Sequence, residues 1–297
     1  MNEIEQIKQL RDRTGAGLMD CKKALAANDH DLEQAITWLR EKGIAKAAKK
    51  AASRIAAEGV ASIIVDGNKA AVIEVNCETD FVANSDPFRA LVHEVNEIVL
   101  NNNPQTLEEA KECKNKDGKS INELFIDAGV KLGEKLDFRR FAIVNKSDDE
   151  CFGPYLHMKG KIAVLTLIKG GNTEIANRIS LVVCSNNPSY VNEADIPADV
   201  IAKETEVQKE ASLQDPSFAK KPAAIQDKIV EGRVKKALFE GVLVDMGLIG
   251  EEDKTVAQLL KENNASMVSF LRYAVGEGIE KRQDDFAAEV AAQASGK

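Results

Sequence analysis

The spacing of apolar residues changes several times along the chain, and each change predicts a different kind of element. Ile4, Ile7 and Leu10 recur at helical spacing and mark one face of a first helix. That helix ends near Thr14-Gly15-Ala16-Gly17, where glycines allow a sharp turn. A second helix starts at Leu18 and carries Cys21, Ala24 and Leu25. Asn28-Asp29-His30-Asp31 interrupts the pattern, Asp31 with Gln34 supplies a capping arrangement, and Leu32, Ala35, Ile36 and Leu39 line a third helix. Beyond it Arg40, Lys42, Lys46, Lys49, Lys50 and Arg54 are set among alanines with Glu41 as the only acid, which predicts a helical linker with one charged side.

The period then drops to two. Gly59–Val65 and Lys69–Val75 flank Asp66-Gly67-Asn68, a hairpin signal. The alternation Ala71-Val72-Ile73-Glu74-Val75 runs into Asn76-Cys77-Glu78-Thr79-Asp80-Phe81-Val82-Ala83-Asn84, so Thr79-Asp80-Phe81 falls where a half-buried strand passes into a turn. A large aromatic beside a carboxylate at a strand end can be held rigidly and still point outward. That suits a probe inserted into a partner better than a residue filling a core. Helical spacing returns from Phe88 to Leu100. The same order recurs farther on: Gly153–Met158 turns through Lys159-Gly160-Lys161 into Ile162–Ile168, and Gly170-Gly171-Asn172 leads into a helical segment from Glu174 to Cys184. Two copies predict a duplicated α+β core with its halves side by side.

A different pattern follows. Pro197 to Leu213 reads as a helix with Val200, Ile201, Val207 and Ala211 on one side, ended by Asp215-Pro216. A second helix begins around Pro222 and carries Ile225, Ile229, Val230, Val234 and Leu238. A short connection makes the pair antiparallel, and the narrow apolar faces suggest a projecting hairpin. Thr255–Glu262 is a capped amphipathic helix, Val268–Val275 another core strand, and Asp284–Val290 the start of a short C-terminal helix.

Composition narrows the chemistry. With 297 residues, 44% of them hydrophobic, the chain can bury a real core in two or more compact units. A net charge of −8 and only 5% aromatics argue against coating nucleic acid or stacking single-stranded bases. Cys21, Cys77, Cys113, Cys151 and Cys184 form no C-x-x-C pair and do not group with the three histidines at metal-ligand spacing, so reduced structural thiols are the plain reading. No signal or transit composition leads the chain, and no apolar run approaches the ~20 residues of a membrane span. On the residues alone, at least one of Leu18 and Met19 belongs in the core of the small bundle, and His157 is an ordinary histidine beside a strand.

Several of these stretches resemble one family. Asn76–Asn84 resembles the signature of elongation factor Ts, the nucleotide exchange factor for elongation factor Tu. Arg11–Leu25 closely matches that family's N-terminal motif, and Glu206–Glu210 with Val230–Lys236 match its coiled-coil region. Tyr155-Leu156-His157-Met158 falls where the family carries its second-subdomain contact. The resemblance spans essentially the whole chain, by pattern alone over 101–146 and 214–222 and loosely between Phe239 and Lys254.

The resemblance implies an α+β fold in five parts. A three-helix bundle like a ubiquitin-associated domain occupies residues 1–54 with its linker, and one core subdomain occupies 55–146. The second subdomain is built from 147–190 and 243–278, a helical hairpin is inserted at 191–242, and a C-terminal module occupies 279–297. It further implies that Thr79, Asp80, Phe81 and Val82 form the main contact with elongation factor Tu, GDP-bound or nucleotide-free, and displace its Mg²⁺. Phe81 would wedge between helices of the partner with Asp80 fixing its approach, and His157, Arg11, Leu18 and Met19 would add contacts. The hairpin would serve protein contacts, including a candidate homodimer. No cofactor, resident metal, membrane or direct nucleic-acid contact is implied, and the expected location is the cytoplasm. Two other classes compete: an adaptor that binds ribosomal or ubiquitin-like partners through the N-terminal bundle, and a thiol enzyme using Cys77 with His93 or His157, which lacks an identifiable orienting group.

Overall fold

The structure is a computed structural model that describes residues 3–280 apart from 15, 17, 52 and 53, with residues 43–51 and 252 described by their backbone alone. The described residues divide into two compact units. One comprises the chain up to Ile64, Ala71–Ile143 and the segment from Ala274; the other comprises Val65–Ala70 and Val144–Tyr273.

The first unit opens with the expected three helices, α1 (Glu3–Thr14), α2 (Leu18–Ala27) and α3 (Leu32–Ala51). Their core is Leu10, Cys21, Ala24, Leu25, Ala35 and Leu39. Ile4 is not part of it; the apolar face of α1 stops short and leaves Ile4 78% exposed. Asp31 accepts the Gln34 amide at 2.9 Å and starts α3 as its residue type predicts. No break separates α3 from the expected linker, because alanines carry the helix through to Ala51.

Next come β1 (Glu58–Asp66), β2 (Lys69–Cys77), α4 (Asp80–Ala83), α5 (Asp86–Asn102), α6 (Leu107–Glu112), α7 (Ile121–Leu132) and β3 (Asp137–Asn145). Gly67 takes the left-handed backbone (φ +54°) that the Asp-Gly turn requires. The strands form a sheet in the order β1-β2-β3. Its core joins Ile73, Val75 and Phe138 of the sheet to Phe88, Val92, Val95 and Val99 of α5 and Ile121 of α7. The alternation in β2 reads as a half-buried strand, yet eight of its nine residues are buried, Glu74 among them.

The second unit repeats this plan. It contains β4 (Glu150–His157), β5 (Ile162–Lys169), α8 (Thr173–Asn186), α9 (Ala198–Leu213), α10 (Pro216–Ala219), α11 (Ala223–Phe239), β6 (Gly247–Leu248), β7 (Glu251–Thr255), α12 (Val256–Glu262) and β8 (Ser266–Ala274). β4 and β5 are antiparallel, in register from Glu150 opposite Lys169 to His157 opposite Ile162, and the sheet order is β4-β5-β8. In both sheets a hairpin precedes a helix and a later strand joins as the third member. Helix α8 lies close on its sheet: a Cβ at Gly153 would sit 2.4 Å from Thr166 Oγ1 and 2.5 Å from the Ala176 carbonyl carbon. Thr166 and Ser180, both fully buried, are satisfied there by each other and by the Ala176 and Gly153 carbonyls.

Helices α9 and α11 form the expected hairpin, but their contact differs from the predicted one. Ile201 and Val207 are exposed, and the buried residue of α9 is Ser212, which accepts from Arg233 at 2.8 Å. A two-helix layer has one inner face, and Phe218 of α10 fills it together with Val230 and Val234. At its base Tyr190 pairs with Val242, which joins the two ends of the insertion. The helix expected at Asp284–Val290, and with it all but the first two residues of the 279–297 module, lies outside the described residues.

Candidate functional site

The Thr79 turn begins where β2 ends at Cys77. Thr79 has an extended backbone (φ −123°, ψ 155°), and its hydroxyl accepts the Val82 amide at 3.3 Å, which starts the single helical turn α4. Two side chains close the other end: Asn84 Nδ2 donates to the Asp80 carbonyl and Ser85 Oγ to the Val82 carbonyl, each at 2.8 Å. Ala83 is buried and Val82 packs on the sheet's core, so the turn is anchored through its inward side. Phe81 projects from the outward side and is 86% exposed. Asp80 lies in the first turn, where the unpaired amides of a helix start favour a carboxylate.

A second segment grips this turn. Glu134, between α7 and β3, accepts from the Glu78 and Thr79 amides at 3.0 Å each and from the Thr79 hydroxyl at 2.5 Å. In return Glu78 Oε1 accepts the Lys135 amide at 2.5 Å and the Arg54 guanidinium at 2.9 Å. Glu134 was not legible as a site residue, because it stands in the stretch where the sequence resemblance holds only by pattern. No local signal links it to Thr79, 55 positions earlier.

The other candidates fall on two further surfaces. In the first unit Arg11 is exposed on α1, and Leu18 and Met19, at the start of α2, are 52% and 60% exposed. This corrects the core reading of Leu18 and Met19: the small bundle closes on Cys21, Ala24 and Leu25, one turn farther along. Gly15 and Gly17 of the same motif lie outside the described residues. In the second unit His157 ends β4, with its Nδ1 3.0 Å from the Tyr155 hydroxyl. Its carbonyl accepts from the Gly160 and Lys161 amides, each at 3.0 Å. Met158 (φ +47°) and Lys159 (φ +57°) make that turn in the left-handed region, and Met158 is 71% exposed.

Cys77 is fully buried with its thiol donating to the Thr79 carbonyl at 3.2 Å, while exposed His93 faces Glu97 at 3.6 Å. Burial pushes the Cys21, Cys113 and Cys184 thiols up, the opposite of what a nucleophile needs. Among the described residues no helix is long and apolar enough to cross a membrane.

Comparison with known proteins places these features in a family. The model of the family described as Elongation factor TS matches residues 78–277, starting at the Phe81 turn and including the His157 turn. Elongation factor Ts of Limosilactobacillus reuteri (strain DSM 20016) is 46% identical over 292 residues, 98% of each chain. Elongation factor Ts of Lacticaseibacillus casei (strain BL23) is 46% identical over 291 residues, again 98% of each, and that of Acholeplasma laidlawii (strain PG-8A) 45% over 287, 97% of each. A match that runs from the Phe81 turn through the second sheet and the hairpin, with relatives aligned along nearly their whole lengths, means that the chain belongs to the elongation factor Ts family of translation elongation factors.

Proposed function

We propose that this protein is a guanine nucleotide exchange factor that binds elongation factor Tu carrying GDP and promotes GDP release. The observation that carries this reading is Phe81, an aromatic side chain 86% exposed on a turn fixed from within. Phe81 enters between helices of the partner's G domain, and Asp80 beside it sets the approach. The resulting helix movement disturbs the Mg²⁺ and phosphate site. Release accelerates because the protein binds the nucleotide-free partner more tightly than the GDP form, and bound GDP weakens that binding by the same factor. The chain performs no covalent chemistry of its own in this scheme and works in the cytoplasm.

Phe81 cannot supply the coupling alone. A 10⁴-fold preference needs about 5.5 kcal/mol of differential binding, whereas burying one Phe yields about 1.5–3 kcal/mol. The remainder is assigned to Arg11, Leu18 and Met19 on the bundle, Thr79, Asp80 and Val82 around the turn, and His157 on the second sheet. The exposed side chains of Leu18, Met19 and Met158 support such a distribution, since each offers apolar area to a partner at little cost to the free chain. We further read 1–54, 55–146, 147–190 with 243–278, 191–242 and 279–297 as the working parts, with the hairpin given to protein contacts that include self-association.

Stopped-flow release of fluorescent GDP from elongation factor Tu tests the proposal. The wild-type protein accelerates release by orders of magnitude, and Phe81→Ala loses about 10- to 100-fold, the equivalent of the buried ring. A folded protein that leaves release unchanged would favour the adaptor reading, and residues 1–54 alone would then retain the main activity. Full exchange by Phe81→Ala would remove the wedge.

A further inference from the structure

We infer that Glu134 is a positioning residue for Phe81, fixing from the α7–β3 loop the direction in which the ring projects. The inference rests on the exchange reading above and extends it to a residue outside the signature. Helix α4 has four residues. A single turn has almost no cooperative stability of its own, because nucleation fixes several dihedrals for one hydrogen bond. Phe81 adds no packing that would hold it, being exposed. The Thr79 hydroxyl caps one amide of the turn, that of Val82, at 3.3 Å. Val82 and Ala83 anchor the inward side of the turn and Asn84 and Ser85 close its far end, but none of these fixes the peptide units by which the chain enters it.

Glu134 supplies that constraint with both carboxylate oxygens. Oε2 takes two successive backbone amides, Glu78 and Thr79, which fixes the plane of the chain as it enters α4. Oε1 takes the Thr79 hydroxyl proton, which turns that oxygen's lone pairs toward Val82 and so sets the cap itself. Hydrogen bonds to an ionised acceptor are the strong class, and these three converge on the two residues immediately before the turn.

The gripping loop is itself fixed. Gly133 ends α7 in a left-handed conformation (φ +75°) with its amide returned to Gly129 at 2.9 Å. Lys135 gives its backbone amide to Glu78 and its ammonium to the Arg54 carbonyl at 3.2 Å, while Arg54 bridges Glu78 and the Gly133 carbonyl. Each segment thus offers amides to the other's glutamate. Arg54 pairs its charge with Glu78 at 2.9 Å. Freed of Glu134, the turn samples other orientations, and apparent activity falls by the fraction that remains competent.

The test is a double-mutant cycle read by GDP release at subsaturating protein, using the full chain. Glu134→Ala lowers the release rate about tenfold in the wild-type background. In the Phe81→Ala background it lowers the rate no further than about twofold, because the positioned group is already gone. Glu134→Gln stays within about twofold of wild type, since its amide oxygen accepts both backbone N–H groups and its NH₂ donates to the Thr79 hydroxyl. Should Glu134→Ala fail to fold, Glu134→Asp, one methylene too short to reach, makes the same comparison. Equal losses in both backgrounds would mean a merely structural role and overturn the inference, as would an Ala variant that matches wild type. A wild-type chain without exchange activity overturns the functional reading and the positioning role together, whereas active wild type with an indifferent Glu134 overturns the positioning role alone.

Discussion

Replacing Glu74 tests the packing that holds the first unit together. Its side chain is fully buried in β2. Oε1 accepts Arg139 at 2.9 Å and the Gly276 amide at 2.8 Å, and Oε2 accepts Arg140 Nε at 2.5 Å. One carboxylate therefore ties β2 to β3 and to the turn that follows β8. Breaking a buried pair by removing one partner costs about 3–5 kcal/mol, and orphaning the Gly276 amide adds about 1–3 kcal/mol. Arg139 and Arg140 keep 23% and 31% of their side-chain exposure, so water recovers part of that loss. Glu74→Ala should accordingly lose about 3–4 kcal/mol in urea unfolding at neutral pH. Glu74→Gln, which keeps an acceptor for Gly276 but loses the charge, should lose about half as much.

The pH dependence separates this account from simple cavity formation. Burial works to raise the Glu74 carboxyl, but the Gly276 amide and the Arg139 and Arg140 guanidinium groups outweigh it and hold the group below the usual carboxylate range. A folded-state value below the unfolded one means that the native state binds fewer protons. The contribution is then complete above the ordinary glutamate range and is lost as pH falls toward the folded value. The gap between wild type and Glu74→Gln should narrow between about pH 7 and about pH 3.5. A gap of the same size at both, or a loss below about 1 kcal/mol in Glu74→Ala, would refute the reasoning.

Three further outcomes are expected. Gly153→Ala should lose at least about 1–3 kcal/mol by denaturant midpoint, since the new methyl would collide with Thr166 Oγ1 and with the Ala176 backbone and push α8 off its sheet; an unchanged midpoint would show that the helix can retreat without cost. Joint Leu18→Ala and Met19→Ala should leave thermal stability within about 0.5 kcal/mol while weakening binding to elongation factor Tu; a clear drop in stability would return these residues to the bundle core. Cys77→Ser, whose hydroxyl can keep the bond to the Thr79 carbonyl, should fold and exchange nucleotide normally, and loss of exchange from a folded variant would revive the thiol reading.

Much of this protein is legible in its residues alone, because the signals are local. The period-two run around Asp66-Gly67, the helical spacing after Phe88 and the capped amphipathic stretch Thr255–Glu262 each predict an element that is present. The alternation of β2 places the turn carrying Phe81 at the end of a strand, and that turn is one helical turn capped by Thr79. Side-chain burial was harder to read. Leu18, Met19, Ile201 and Val207 all have the spacing of core residues, yet each is exposed. Periodicity marks a face of a helix but cannot say whether anything covers it.

What the sequence determined by itself are the hairpins, helices and turns with a strong local signal, though not α6, α7, β3 or the β6–β7 pair, since such signals follow from φ/ψ preferences and side-chain spacing within a few residues. Only the tertiary structure decided which strand completes each sheet, that Glu74 would lie buried beneath two arginines and the Gly276 amide, and that Glu134 would reach back to Thr79. Glu74 and Gly276 are 202 positions apart and Glu134 and Thr79 are 55 apart. Contacts at such separations leave no period in the chain: the Glu74 bonds exist because folding brings a buried carboxylate and its donors together where water cannot satisfy them, and the Glu134 bonds because it brings the α7–β3 loop beside the end of β2.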